Sequence, residues 1–411
     1  MERVVITGCG VVSPLGCTVA EFWSGLLEGR SGVVDLDDPE FAALPTRIGA
    51  RVVGLNEAER YSSKELGRMS RSSLLALVAA EEAVASANLV SEGVDASAVG
   101  VVVGSSIGGY SASDGFFKDY YLNNRTTPMI IPVSMNIAPG SNLSIRYGFG
   151  GPLLSVDAAC ATAAQSIGYA FNLIRAGAMR IAVTGGTDSP FTPGVLAAWC
   201  AMRAMSRRND CPAEACRPFS ADRDGLVLGE GAGIIVLESE SSALERGSTI
   251  LAEVRGYGAS ADSHHLTQPI QSGSVRAMRN ALSDAMLEPG DIDYINAHGT
   301  GTKWNDRNET AAIKEVFGPH AYEVPVVGNK AALGHSIAAS GALELIGCTL
   351  SICDQVVPPT INYRVPDPEC DLDYVTQGSR PAPIRNVISN SFAFGGSNAC
   401  LVISEYIPGR A

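Results

Sequence analysis

The stretch that decides the fold runs from Leu153 to Gly177 and begins Leu153-Leu-Ser-Val-Asp-Ala-Ala-Cys160-Ala-Thr-Ala-Ala-Gln-Ser-Ile-Gly-Tyr-Ala-Phe171. Its first part, Leu153 to Val156, is a short apolar run that reads as a buried strand. The second part is rich in Ala and Ser, with Ala163, Ala164, Ile167, Ala170, Phe171 and Ile174 at helical spacing. Gly177 supplies a C′ stop. Cys160 is thereby set at a strand-to-helix junction, where unpaired backbone N–H groups and the positive end of the helix dipole converge. A free thiol has a pKa of ~8.5, and a helix start lowers it by stabilising the thiolate. The same N–H groups can hold an oxyanion on a substrate bonded to the sulfur. Taken alone, the stretch equally allows a buried cysteine acting as a small hydrophobe, so the rest of the chain has to decide.

Working outward, apolar β-branched runs recur between Ala-rich helical segments. Before about residue 250 they are Arg3–Thr7, Val99–Gly104, Leu153–Asp157, Arg180–Gly185 and Gly233–Leu237. After it they are Ile250–Ala259, Ile292–Ala297, Val324–Val327, Asn386–Ser391 and Ala399–Ser404. Alternation with helices such as Ser72–Ala87 and Val275–Met286 predicts α/β layers. Five strands on each side suggest a duplicated architecture with halves 1–249 and 250–411. A second stretch supports this: Lys330-Ala-Ala-Leu-Gly-His335-Ser precedes another small-residue helix, so His335 stands at a helix start much as Cys160 does. A pseudo-twofold between the halves would turn both helix starts toward one site. The segments Ile107–Pro139 and Arg203–Arg217 read as long irregular loops. In the first, Phe116, Phe117, Tyr120, Tyr121 and Met129–Pro132 carry too much apolar surface to be left bare, which predicts a subunit interface.

Composition narrows the class. The 411 residues leave room for two or three domains, and 46% hydrophobic with 18% charged residues predicts a large buried interior. The chain contains no apolar run that reads as a membrane span. Met1-Glu-Arg leads straight into a strand pattern with no signal-peptide regions, so a cytoplasmic protein is expected. Ten cysteines are scattered without any Cys-x-x-Cys, which predicts reduced thiols and no zinc ribbon. A net charge of −13 argues against nucleic acid or an anionic membrane as a general partner. An acidic partner would need a local basic patch, for which Lys64, Arg68 and Arg71, or Arg203, Arg207 and Arg208, are candidates; each group also suits an ordinary solvated face.

The histidines are few. His298 and His335 lie in glycine-bounded turns after apolar strands, where α/β folds carry chemistry. His264, His265 and His320 have no such setting and read as surface residues. A lone core histidine is the commoner case, but two such placements alongside Cys160 favour a reactive site. Lys330 lies in an apolar neighbourhood and needs a partner, for which Glu309 is the best candidate; Asp306-Arg-Asn-Glu309 also resembles a capping box. Near the C-terminus, Phe392-Ala-Phe394-Gly395-Gly396 places two glycines in a turn between strands, allowing close backbone approach to a ligand with Phe394 over an apolar pocket. An ordinary hairpin would look similar. The glycine runs match neither a dinucleotide fingerprint nor a P-loop, and no cofactor is expected.

Taken together, Asp157-Ala-Ala-Cys160-Ala-Thr, Asn296-Ala-His298-Gly-Thr-Gly-Thr302, Lys330-Ala-Ala-Leu-Gly-His335-Ser and Asn390-Ser-Phe-Ala-Phe-Gly-Gly-Ser-Asn398 resemble the β-ketoacyl-acyl-carrier-protein synthases of the I/II type, in ordered blocks along nearly the whole chain. The resemblance implies a thiolase fold of two duplicated halves in a five-layered αβαβα arrangement, and usually a homodimer. It implies an acyltransferase that joins an acyl-Cys160 thioester to malonyl-acyl-carrier protein with loss of CO₂, in fatty-acid elongation. The alternative is the ketosynthase of a type II polyketide or polyene pathway, paired with a chain-length factor. The resemblance makes His298 and His335 neutral N–H donors to an enolate, places the Cys160 and Phe394 N–H groups in an oxyanion hole, and has Lys330 and Glu309 set histidine orientation and local charge. Thr300 and Thr302 match contacts to the pantetheine arm, Phe392 joins the substrate side, Phe394 matches a gating aromatic, and Ile107 matches a bound of the acyl pocket. Lys64, Arg68 and Arg203 match a carrier-docking patch. Asn296, Glu344, Ser389 and Asn390 match a structural cation site, with no catalytic metal implied.

The chain departs from that pattern at Lys303-Trp304, where small or proline residues are usual, at Ala393, where glycine commonly hinges the Phe394 loop, and at Gly67, where a basic residue is usual. A non-catalytic chain-length partner would lack Cys160. A biosynthetic thiolase would need a second cysteine near the C-terminal glycine turn, where Phe394-Gly-Gly stands and Cys400 lies inside the next strand. The histidine pair also disfavours the synthase III type.

Overall fold

The computed structural model describes residues 2–91 and 93–409. Its main sheet has ten strands. They are β1 (Val4–Val12), β2 (Gly100–Gly104), β3 (Leu153–Leu154), β4 (Ile181–Asp188) and β5 (Gly231–Ser239), then β6 (Ala252–Ala261), β7 (Tyr294–Asn296), β8 (Val326–Val327), β9 (Asn386–Phe392) and β10 (Ser397–Ser404). Outward from the centre, the first five run in the order first, fifth, fourth, second, third, and the second five repeat that order. The directions repeat as well. In each set the first and fifth strands and the fifth and fourth pair antiparallel, while the fourth and second and the second and third pair parallel. The two sets meet where β1 pairs with β6 over three residues, Val4–Ile6 against Ala252–Val254.

The helices that place the site are α1 (Arg71–Ser86), α2 (Gly108–Asn123), α3 (Ala138–Tyr147), α4 (Thr162–Arg175), α5 (Pro193–Ala201), α6 (Gln271–Ala285), α7 (Lys303–Phe317) and α8 (Ser340–Asp354). Helices α4 and α8 pack on each other and on strands from both sets, so they form the central layer. On the outside, α1 and α3 cover the first set of strands, and α6 with α7 beside it covers the second. The result is five layers, αβαβα. Residues of α4 and α8 (Ile167, Ala170, Phe171, Ile174, Leu345, Ile346) lie in the largest apolar cluster together with Ile6, Leu237 and Leu401 of the sheet.

Glycines make the outer layers close. A Cβ on Gly10 of β1 would fall 1.9 Å from the Ala79 carbonyl oxygen of α1, and one on Gly258 of β6 would fall 2.2 Å from the Ala277 carbonyl oxygen of α6. The same helix-on-strand contact therefore occurs once in each set, although the sequences around it differ.

Several elements differ from expectation. Leu153–Leu154 is a two-residue strand at the sheet edge, not a buried strand, and Leu154 is exposed. The segment 107–139 is mostly helical, with α2 and a short helix at Ile130–Ser134. Two glycines open α2, a poor helix start by propensity, but its first N–H groups are held: Ile107 and Gly108 both donate to the buried Asp188 carboxylate. The segment 203–217 is irregular as expected, apart from one turn at Pro212–Glu214. Among the apolar residues marked for an interface, Phe117, Tyr120, Tyr121 and Ile131 are exposed. Contrary to expectation, the stretch Ile337–Asp354 has the length and composition of a membrane span, but 83% of it is buried inside the fold as the central-layer helix.

Because the Gly10 contact is against backbone, it cannot relax by side-chain movement. Gly10→Ala and Gly258→Ala are each expected to lower stability by about 1–3 kcal/mol, the usual cost of overpacking, measured as a shift in urea midpoint.

Candidate active site

Cys160 sits in the single turn Ala159–Ala161 that leads into α4. Ala159 has φ +48°, a left-handed value that turns the chain sharply enough to present the sulfur at the helix tip. His335 reaches it from the other set, with Nε2 3.0 Å from Sγ. His335 precedes the turn Ile337–Ala339 and α8, and Ile337 repeats the left-handed turn at φ +49°. Cys160 and His335 therefore stand at corresponding helix tips, as the sequence suggested. The backbone N–H groups of Phe394 and of Cys160 itself both lie near enough to the sulfur to favour its anion. A carbonyl oxygen developing charge on a carbon bonded to Sγ would find those two donors.

The helix tip does not, however, make the thiol acidic. Burial pushes the Cys160 thiol up to about 11, against smaller opposing effects from the Lys330 charge and the Phe394 N–H. Withdrawing the sulfur from water outweighs the dipole, so the expected lowering is reversed. Burial acts on the histidines in the opposite sense. His298 and His335 are held well below the usual imidazole range by desolvation first and by the nearby Lys330 charge second, which keeps both rings neutral at neutral pH.

Neutral rings need their tautomers set. Lys330 Nζ lies 3.3 Å from His298 Nδ1 and donates to it, leaving Nε2–H as the donor toward the cleft. The Ser340 hydroxyl, 3.0 Å from His335 Nδ1, can do the same for the second ring. Lys330 also donates to the His298 carbonyl at 2.6 Å and to Glu344 Oε1 at 2.5 Å. Its ion-pair partner is thus Glu344, one helix turn into α8, and not Glu309. Glu309 instead accepts the N–H groups of His298 and Gly299 at 2.8 and 2.9 Å, one on each carboxylate oxygen, and so clamps the loop that carries His298. Burial raises the Glu309 carboxyl to about 7 despite those bonds. The capping-box reading of this segment also fails. Thr302 caps α7, and Asp306 lies buried within the helix beside Arg223 at 3.3 Å.

A cleft of about 920 Å³ opens onto this group. Cys160, His298, His335, Thr300, Thr302, Phe392 and Phe394 all line it. The Thr300 and Thr302 hydroxyls are 2.9 Å apart, and Phe392 meets His298 edge to face at 6.0 Å. Ala393 is extended at φ −121°, so it fits without strain where glycine was expected; Gly395 and Gly396 carry the positive φ of the turn. Ile107 does not line the cleft. It packs in an apolar cluster with Leu196, Cys200 and Leu226, on which Trp199 also packs. Trp199 lines the cleft too and stacks on Phe394 at 6.0 Å, a contact with no local sequence signal.

The other residues singled out in the sequence lie in different settings. Arg203 is exposed and lines the cleft, whereas Lys64 and Arg68 are exposed but lie outside its lining. Arg71 is tied to Glu230 and Glu57, and Arg208 to Asp222, so neither is a free cation. His265, read as an ordinary surface residue, lies on the cleft lining. At the candidate cation site, Asn296 donates to Ser389 at 3.2 Å and accepts from Asn329 at 2.9 Å. Glu344 Oε2 and Asn329 Oδ1 are buried without hydrogen-bond partners among the described residues. Those oxygens suit a structural cation held by Asn296, Ser389, Glu344 and Asn329; Lys330 already balances the Glu344 charge. The Asn390 side chain does not fit, because it turns to Glu309 and Cys400. The Cys160, His298 and His335 donor atoms lie within 4.8 Å of one another, a metal-like cluster, but the adjacent Lys330 ammonium opposes a divalent ion there.

The comparisons with known proteins agree with this geometry. The N-terminal domain model of beta-ketoacyl synthase matches residues 1–243, and the C-terminal domain model matches residues 251–364. The chain belongs to the β-ketoacyl synthase family. Over 406 residues this synthase is 43% identical to nodulation protein E of Rhizobium meliloti, covering 98% of this chain and 99% of that one. It is 40% identical to 3-oxoacyl-[acyl-carrier-protein] synthase 2 of Synechocystis, covering 98% of each chain. Among solved structures it superposes on the ishigamide ketosynthase/chain length factor with a TM-score of 0.93 at 35% identity, covering 99% of this chain and 100% of that one. The fold is thus the thiolase fold, and the enzyme is a condensing acyltransferase that makes a 3-ketoacyl product from an acyl thioester and malonyl-acyl-carrier protein.

A thiol near 11 predicts how the synthase reacts with alkylating agents. Modification of Cys160 by iodoacetamide, followed on its peptide by mass spectrometry, is expected to rise about tenfold per pH unit from pH 7 to 9, because only the thiolate reacts. A plateau starting below pH 8 would contradict it.

Proposed function

We propose that Cys160 attacks the carbonyl of an acyl-carrier thioester, with the Cys160 and Phe394 N–H groups holding the oxyanion. The acyl group passes to sulfur, and the thiol proton leaves with the carrier's pantetheine thiol. Malonyl-carrier protein then enters along Thr300 and Thr302. The C–C bond to its carboxylate breaks, CO₂ departs, and the electron pair is delocalised onto the thioester oxygen as an enolate. Decarboxylation needs no strong base, so the site mainly has to stabilise that oxygen. The Nε2–H groups of His298 and His335 donate to it, and neutral rings suit donation without proton loss. The enolate carbon attacks the acyl-Cys160 carbonyl, the C–S bond breaks, and the sulfur regains a proton from solvent.

In this reading Lys330 fixes the His298 tautomer, and Glu309 fixes the loop that carries His298. Phe394, stacked on Trp199, covers the way toward the apolar cluster around Ile107. Residues 1–249 form the half with the nucleophile, and 250–411 the half with both histidines. The enzyme elongates fatty acyl chains in the cytoplasm as a homodimer through the exposed apolar face at Phe117, Tyr120, Tyr121 and Ile131. Lys64, Arg68 and Arg203 supply cations for an acidic acyl carrier. The observation that carries this reading is the 3.0 Å approach of His335 Nε2 to the Cys160 sulfur inside a cleft that also holds a second neutral histidine.

Likeness to a ketosynthase/chain length factor favours one second reading, a type II polyketide or polyene ketosynthase in a heterodimer. Copurification with a homologue lacking the nucleophile would select it.

Cys160→Ala is expected to abolish condensation. His335→Ala should block decarboxylation of malonyl-carrier protein while leaving acyl transfer to Cys160 measurable with a labelled acyl-carrier thioester. Normal decarboxylation by His335→Ala would remove that histidine from its role.

A further inference from the structure

Trp304 is 76% exposed, the most exposed of the aromatic residues on the cleft lining. It lies in the first turn of α7, two residues beyond Thr302, and Lys303 beside it also lines the cleft. An indole bared to water at the mouth of a cleft has no packing reason to be there, because the helix buries its other face through Ala312, Ile313 and Phe317.

The acidic groups around the mouth are all engaged. Asp222 is held by Arg208 and Arg217, and Asp224 lies near Arg208 and accepts from the Arg207 N–H. Asp262 accepts from Asn398 and from the Ile270 N–H, while Asp306 is buried beside Arg223. Farther along α7, Arg307 pairs with Glu369. Across the lining, Arg203 and Lys303 are exposed, and among the described residues no side-chain ion pair or hydrogen bond engages either one. A chain of net charge −13 thus presents two unengaged cations and an exposed indole at the way in to its nucleophile.

We infer that Trp304 and Lys303 form a docking point for the acyl carrier protein, in which the indole anchors an apolar spot between carboxylates of the carrier's surface, and that this pair sets which carrier the enzyme accepts. The inference rests on the condensing reading above and adds to it the residues that discriminate among carriers. The chemistry is that of an interface hot spot: a large rigid aromatic gives contact area at low entropic cost, and flanking cations steer an acidic partner. The carrier presents its thioester on a long flexible arm, so docking at the mouth fixes the arm's origin without touching the reacting atoms.

The test compares carrier-borne with carrier-free substrate. Malonyl-holo-carrier protein and malonyl-pantetheine are assayed with the wild type, Trp304→Ala, Trp304→Phe and Lys303→Glu. For Trp304→Ala, KM for the carrier substrate is expected to rise about tenfold with kcat nearly constant, the loss typical of one anchor residue. The ratio of kcat/KM between carrier-borne and carrier-free substrate falls by the same factor. Trp304→Phe should recover most of it, and Lys303→Glu should raise carrier KM most at low salt, where charge acts over a longer range. Unchanged carrier KM in Trp304→Ala, or an equal loss on both substrates, overturns the proposal. Condensation of malonyl-pantetheine by the wild type tests the underlying reaction separately, and titration of the wild type and Trp304→Ala with holo-carrier tests docking even if that reaction fails. Equal affinities there would also overturn it.

Discussion

The site depends on how closely two helix tips can approach. Helices α4 and α8 begin against the ends of strands and against each other, and only small side chains leave room for it. A Cβ on Gly186 would fall 2.3 Å from the Ala338 carbonyl oxygen and 2.9 Å from Ala163 Cβ, and one on Gly341 would lie 3.0 Å from the Ala164 amide nitrogen. Interiors packed this tightly respond to single methyl groups. Because the tips cannot drift apart or together, Cys160 and His335 are fixed at 3.0 Å although they are 175 residues apart in sequence. The cost is local strain: Ala159 and Ile337 both take left-handed backbone angles, and for β-branched Ile337 that conformation is unusual.

The same closeness buries Cys160, His298 and His335, and burial governs their acid–base behaviour. Burial raises the thiol and lowers both imidazoles, so every reacting group rests uncharged. That suits a reaction whose difficult intermediate is an anion created by loss of CO₂: neutral donors stabilise it without protonating it. The permanent charges sit behind the rings. Lys330 and Glu344 form a buried pair at 2.5 Å outside the cleft lining, and the ammonium reaches His298 at Nδ1. A lone buried ammonium would be prohibitively costly, which is why a carboxylate from α8 has to accompany it.

Much of this was legible from sequence, and the reasons are specific. Cys160, His298 and His335 could be placed because each follows an apolar run and precedes small residues that begin a helix or turn. The duplication could be placed because five strand patterns fall on each side of residue 250. The pairing of Lys330 could not. Glu309 and Glu344 are both acidic residues on helices after the histidine loops, and only the tertiary path decides that Glu309 faces backbone N–H groups while Glu344 faces the ammonium. Helix α2 was missed because glycines and aromatics argue locally against a helix, whereas its start is anchored by Asp188, eighty residues on. The thiol's direction of shift was missed for a related reason: a helix tip is visible in sequence, but the depth at which it is buried is not.

Asp188 also explains why two matching helix tips yield one reactive site. Aligning the turn Ala159–Ala161 with Ile337–Ala339 sets Ala338 opposite Cys160, with the same strained residue before it. At the first tip, the N–H of Cys160 acts on its own sulfur and favours the anion there. At the other tip the N–H of Ala338 donates to Asp188 Oδ2 at 3.1 Å, and that carboxylate accepts Ser105, Ile107 and Gly108 on its other oxygen. A buried carboxylate, raised to about 6 by desolvation, thus occupies the second tip where the first leaves its N–H free for a transient anion. It engages the second tip's donor, fixes the start of α2, and leaves His335 to project across into the first tip's space. The duplicated fold supplies two equivalent positions, and a single carboxylate engages one of them while the other keeps its N–H beside the Cys160 sulfur.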